Sequence, residues 1–165
     1  MLEHGSMNMR KENKMTTKEL GKIMVKEFCL AWEKNKEKLE EYFRTTPQSE
    51  YNSYELLVRR LFDIVINPSI EDSYYWFDTG DILVIDDGDY QGTQVFILHR
   101  NVYQPSVEDY VYTNTYYGSC SGCDTLQAIH WYEYGLPNEQ QVEDYMELCL
   151  HLLQRCNFMI DSEED

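Results

Sequence analysis

From Thr16 to Arg44 the apolar residues recur at helical spacing: Leu20, Met24, Phe28, Trp32, Leu39 and Phe43 share one face. Asn35 is the one polar residue on that stripe, and Lys18, Lys22, Lys26, Lys34 and Lys38 lie on the opposite side. Thr16 or Thr17 can cap the first turn, with Glu19 placed to complement it. Pro47 ends the pattern. A second helix is predicted from about Ser49 to Ile66, with Tyr54, Leu57, Leu61 and Val65 aligned and Val58 and Phe62 beside them. Asn67-Pro68 stops it, because a residue before proline is pushed out of helical space.

The period then drops from 3.6 to 2. Tyr74–Phe77, Ile82–Ile85 and Thr93–His99 are short aromatic or β-branched runs, and Asp86-Asp87-Gly88-Asp89 is a turn cluster. A hairpin reversing within residues 86–92 follows. From Val107 to Tyr117 one face carries Val107, Asp109, Val111, Thr113 and Thr115, and the other carries Tyr110, Tyr112 and Tyr116. That alternation predicts a strand with an aromatic side. After Gly118 the helical period returns, over about Asp124–Tyr134 and again over Asn138–Cys156. Gly135-Leu136-Pro137 separates the two. Val142, Tyr145, Cys149, Leu152 and Cys156 form the stripe of the last helix.

Helices first, strands in the middle and helices last predict a single α+β domain over residues 16–160. Its parts are an N-terminal helical hairpin, a small antiparallel sheet of three or four strands and two C-terminal helices. Met1–Ser6 reads as a cloning remnant within a disordered start, 1–15, and 161–165 as a frayed acidic tail.

Charge changes this picture more than size does. The 165 residues hold 14 Lys plus Arg against 30 Asp plus Glu, a net −16. Residues 1–44 carry 10 of the cations and 8 of the anions; residues 45–165 carry 4 and 22, and no lysine follows Lys38. Such a body is a poor binder of nucleic acid, whose affinity comes from cations that neutralise phosphates. The same charge disfavours anionic lipid. The mean hydropathy of −0.59 and the lack of a long apolar run argue against a membrane span. No basic segment leads into an apolar run, so the expected compartment is the cytoplasm, with the five cysteines as thiols or ligands. Partners of such a surface are expected to be basic proteins or metal ions.

The most distinctive local block is Tyr116-Tyr117-Gly118-Ser119-Cys120-Ser121-Gly122-Cys123-Asp124-Thr125-Leu126. Two thiols at C-x-x-C spacing follow a strand and precede a helix, and three readings are open. Cys120 and Cys123 can hold half of a zinc site, completed by His130, His99, His151, Cys156 or Cys149, although the stripe that carries the last two favours burial. They can form a redox dithiol beside a helix N-terminus. Asp124 and the surrounding negative charge count against that, because they disfavour a thiolate. Finally, both can simply pack at a helix cap, with Gly118 and Gly122 freeing the backbone.

Other motifs are negative. Asp86-Asp87-Gly88-Asp89 lacks the alternating oxygens and distal Glu of a calcium loop. There is no phosphate-binding glycine loop and no Gly-x-Ser-x-Gly elbow, so no catalytic motif is present. Thirteen of the fourteen tyrosines lie from Tyr51 onward, many beside acids. Tyr74, Tyr75, Asp86, Asp87, Asp89, Tyr90, Glu108, Asp109 and Tyr110 are the candidate partner-binding residues. Tyrosines supply rigid interface area and can replace stacked bases, and carboxylates can replace phosphates.

The block from Tyr116 to Gln127, with Gly88-Asp89-Tyr90-Gln91-Gly92-Thr93 ahead of it, resembles a family of small proteins encoded by bacteriophages and prophages. The similarity spans roughly Asp81 to Cys156. Small acidic phage proteins include anti-CRISPR inhibitors, some of which bind zinc and block nucleic-acid loading by a Cas nuclease. The resemblance therefore implies an inhibitor acting in a bacterial host cell and a structural importance for Cys120 and Cys123. It carries over no catalytic residue. The expected function is an acidic, non-enzymatic inhibitor that binds a basic, nucleic-acid-binding groove of a host defence protein, such as a Cas nuclease, with a structural zinc. The alternative is a thiol or metal-dependent enzyme using Cys120 and Cys123.

Overall fold

A computed structural model describes residues 16–130 and 134–159. The expected remnant at Met1–Ser6 and disordered start to residue 15, residues 131–133 of the helix expected over Asp124–Tyr134, and the expected tail at 161–165 lie outside the described residues. The first helix, α1, spans Thr17–Thr45. Thr16 accepts from the Glu19 backbone N–H at 3.2 Å while the Glu19 carboxylate accepts from the Thr16 N–H at 3.0 Å. That reciprocal cap satisfies two donors that a helix start leaves orphaned.

The second helical stretch is broken where a continuous one was expected. Gln48–Tyr51 is a 3-10 turn, α2 runs over Tyr54–Leu61, and Phe62–Ile66 widens into a π-helical turn before Asn67-Pro68. Pro68 cannot donate, so the carbonyls ahead of it need other partners. Asn35, the polar residue on the stripe of α1, donates from Nδ2 to the Val65 carbonyl at 2.9 Å.

The sheet has four antiparallel strands in chain order: β1 (Leu83–Asp86), β2 (Gly92–His99), β3 (Tyr110–Tyr117) and β4 (Asn157–Phe158). Gly88 sits in the β1–β2 hairpin where a Cβ would lie 1.9 Å from the Gln91 carbonyl oxygen, so only glycine fits. Three expectations need correction. Tyr74–Phe77 is not a strand: Ser73–Tyr75 is a 3-10 turn capped by Asp72, and only Phe77 bridges to Arg100. The Asn67 side chain holds Phe77, accepting its N–H at 2.9 Å and donating to its carbonyl at 3.0 Å. Those bonds replace a strand ladder. Val107–Asp109 is likewise a turn under Ser106, so β3 starts at Tyr110. The last helix, preceded by α3 (Thr125–His130), is α4 (Glu139–Gln154), which stops short of the expected end at Cys156, and a fourth strand that was not placed in the sequence, β4, follows it.

The helices cover one side of the sheet. The core there joins Phe28, Phe62 and Phe77 edge to face with Phe158 tilted against Phe28 and Phe77, and a second nest stacks Phe43 on Tyr145 with Tyr51 against both. Tyr145 donates to the buried Gln48 side chain at 2.6 Å. Among the described residues, no helix is long and apolar enough to cross a membrane.

Candidate functional site

The chain after β3 turns sharply through Cys120–Cys123. The Cys123 N–H donates to the Cys120 carbonyl at 3.0 Å, closing a four-residue turn. A Cβ at Gly118 would lie 2.5 Å from the Cys123 carbonyl oxygen, so the strand end and the turn touch backbone to backbone. Asp124, buried at 5% exposure, locks the junction. Its carboxylate accepts from the Gly118 N–H (3.0 Å), the Tyr54 hydroxyl (2.9 Å) and the Gln127 N–H (3.0 Å). Tyr54 in turn accepts from the Leu126 N–H at 3.1 Å. A buried carboxylate with several good donors is a satisfied anchor.

The two thiols lie exposed on this anchored turn, Sγ to Sγ at 2.8 Å. The Cys120 N–H also points at the Cys123 sulfur, at 3.2 Å. Hydrogen bonding from the Cys120 thiol, aided by backbone N–H groups and opposed by partial burial, holds the Cys123 thiol below its ordinary pKa. Asp124 was expected to push it the other way. Its charge is instead taken up by donors from Tyr54, Gly118 and Gln127.

The other proposed zinc ligands do not join this pair. Cys149 and Cys156 are buried in the core, where desolvation pushes the Cys149 thiol strongly up and the Cys156 thiol to about 12. Cys156 donates to the Leu152 carbonyl at 3.4 Å. His130 ends α3 with its Nδ1 buried and unpartnered, and burial lowers its pKa. Among the described residues, the set of donors close enough to share an ion is a different one: Asp78, Asp81 and His99, all within 4.8 Å. The His99 Nδ1 meets the Arg100 carbonyl at 2.9 Å, and its Nε2 faces an Asp81 oxygen at 3.0 Å. A carbonyl only accepts, so Nδ1 carries a hydrogen and a proton on Nε2 completes the Asp81 ion pair. These contacts, the Arg100 carbonyl first, raise the His99 pKa. Sequence spacing does not reveal this cluster, because the Phe77–Arg100 bridge creates it from distant segments.

The candidate partner-binding residues fall into two groups at opposite ends of the sheet, roughly 24 Å apart along eight-residue β2 at strand rise. At the hairpin end are Asp86, Asp87, Asp89 and the largely exposed Tyr90. Asp86 accepts from the Tyr117 hydroxyl, the Gly88 N–H and the Gln94 amide, an arrangement that lowers its pKa. At the other end Glu108 and Asp109 both accept from the Ser106 hydroxyl, Tyr110 pairs with His99, and Tyr74 and Tyr75 stack edge to face on their turn.

Between the two groups lies a surface that composition alone did not single out. Paired residues of adjacent strands share a face, so register assigns Leu83, Ile97 and Tyr112 to one side, with Ile85, Val95 and Asn114 and with Thr93 and Tyr116. Their neighbours in sequence, Phe96, Leu98, Val111, Thr113 and Thr115, are buried under the helices. None of the first set is buried, and Leu83, Ile85 and Tyr116 are each about half exposed. Asp81 with His99 bounds this apolar and aromatic band at one end, and Asp87, which accepts from the Thr93 N–H, at the other. Elsewhere, a groove of about 390 Å³ between α1 and residues 66–70 contains none of the candidate residues.

Compared with known proteins, the chain matches no family model, no curated protein and no solved structure.

Proposed function

We propose that this protein is a non-enzymatic inhibitor that docks the open face of its sheet on a basic, nucleic-acid-binding groove of another protein. The phage resemblance implies the partner class, a host defence nuclease of the CRISPR type. One observation carries the reading: an uncovered band of Leu83, Ile85, Val95, Ile97, Tyr112 and Tyr116 with carboxylates at both ends. A solvated sheet face is ordinarily polar, and contiguous exposed apolar surface marks an interaction site. Acidic ends steer a basic partner into place, while the buried aromatic centre holds it. Arg100, the residue after β2, keeps its charge but is held in place, its guanidinium donating to the Tyr75 carbonyl and lying over the buried Phe77 ring.

The test is binding to a panel of CRISPR effector nucleases, each with and without guide RNA, at rising salt. The expected result is binding to a guide-free effector that guide RNA competes away, with affinity falling as salt rises. Ile85→Lys with Tyr116→Lys should abolish it without unfolding the protein. Binding to no member of the panel, or binding indifferent to both salt and this double variant, sinks the proposal.

A further inference from the structure

We propose that Cys120 and Cys123 form a reversible disulfide, making the turn after β3 a two-electron thiol–disulfide site. The docking reading does not require this, and neither depends on the other. The sulfurs are already 2.8 Å apart, so closure needs only a small movement of two exposed side chains. Backbone geometry allows it: the hydrogen bond from the Cys123 N–H to the Cys120 carbonyl defines a turn whose end Cα atoms lie within about 7 Å, the limit for a disulfide. Both flanks are fixed, by the Gly118–Cys123 backbone contact and by Asp124 holding Gly118 and Gln127. The thiols therefore stay together in the reduced protein.

Cys123 is the attacking sulfur. It receives the Cys120 N–H at 3.2 Å, and hydrogen bonds to it favour the thiolate. The oxidant is a low-molecular-weight disulfide, R′S–SR′. The Cys123 thiol loses its proton to water, and its thiolate attacks one sulfur of R′S–SR′. The oxidant's S–S bond breaks, a Cys123–S–S–R′ mixed disulfide forms, and R′S⁻ leaves to take up a proton. Cys120, deprotonated in turn, attacks the Cys123 sulfur, forms the internal bond and expels the second R′S⁻. The protein loses two electrons and two protons, and the oxidant becomes two R′SH. The other thiols do not compete by this route: Cys149 and Cys156 are buried, and Cys29 lies alone and exposed on α1.

The experiment equilibrates the full chain, carrying Cys29→Ser to remove the remaining exposed thiol, in buffers of varied oxidised to reduced glutathione ratio. Free thiols are then alkylated in denaturant, and intact and peptide masses are read. The expected result is a species two hydrogens lighter that loses two alkyl labels, with the Cys120–Cys123 bond in one peptide and full reversal by dithiothreitol. In the same background Cys120→Ser should accumulate one glutathione adduct on Cys123, because no resolving thiol remains. Cys123→Ser should form its adduct at Cys120 more slowly. Full alkylation at every ratio, stable glutathione adducts in the parent protein, or closure only in denaturant overturns the proposal.

Discussion

The two faces of one sheet obey the same period and end in opposite environments. On the helix-covered face Phe96, Leu98 and Val111 fill the core, and Thr113 satisfies its hydroxyl by donating to the Leu152 carbonyl at 2.7 Å. On the open face, Leu83, Ile85, Val95, Ile97 and Tyr112 meet solvent with side chains just as apolar. Packing explains the first face completely. It explains nothing about the second, since an antiparallel sheet with one wet side needs polar residues there. The contrast separates what the fold requires from what the fold merely displays.

The comparison breaks most visibly at Phe96. Phe96→Ala should cost about 3–5 kcal/mol, because it removes a fully buried ring and leaves a cavity under the helices. Chemical denaturation read by circular dichroism measures it. If the loss is below about 1 kcal/mol, the covered face is not the core. Asp124→Ala comes next, at about 2–4 kcal/mol, since it strands the Gly118 and Gln127 N–H groups and the Tyr54 hydroxyl together. The same variant should loosen the Cys120–Cys123 turn, read as slower disulfide closure in glutathione buffer. A stability within error of the parent would mean that water replaces the carboxylate.

The opposite face should give the opposite pattern. Leu83→Thr with Ile85→Thr is expected to cost about 1 kcal/mol or less, because both side chains are half exposed and threonine suits a strand. Partner binding should nevertheless be lost. Equal losses of stability from this pair and from Phe96→Ala would erase the distinction between the faces.

These contrasts also mark what could be read from the chain. The alternation of Val111, Thr113 and Thr115 with Tyr110, Tyr112 and Tyr116 separated the two faces correctly. A period of two carries no information on which face the helices cover, so the open band stayed hidden behind the more obvious acids. The helical stripe of α1 was legible, but the purpose of Asn35 was not, because its acceptor at Val65 lies thirty residues on. Aromatic propensity pointed to a strand at Tyr74–Phe77. A single side chain, Asn67, captured the backbone there, and propensity scales are blind to such a competitor. The C-x-x-C spacing placed two thiols together, while the negative effect assigned to Asp124 counted its charge and omitted its donors. Asp78, Asp81 and His99 were invisible as a set, being assembled by a bridge between distant segments.

The smallest expected effect sharpens the comparison from the open face alone. His99 pairs across the sheet with Tyr110 on that face, and the Arg100 carbonyl and Asp81 raise its pKa in the folded state. A raised folded pKa means that the folded protein binds the proton more tightly. The added stability is therefore complete below the unfolded value of about 6.5 and disappears as pH rises through the folded value. Asp86 works with the opposite sign at the other end of the sheet: its lowered pKa adds stability that is present above about 4 and fades as pH falls. Between these limits both ends of the band are most firmly held. Asp81→Asn should shrink the upper limb of the stability profile, the part the Arg100 carbonyl does not supply, and leave the acid limb unchanged, measured as denaturation midpoints from about pH 4 to pH 9. An unchanged upper limb would mean that the His99–Asp81 contact carries no proton-linked stability. Because the groups involved lie outside the core, any shift should leave the Phe96 loss untouched, and coupling between the two variants would show that the faces are not independent.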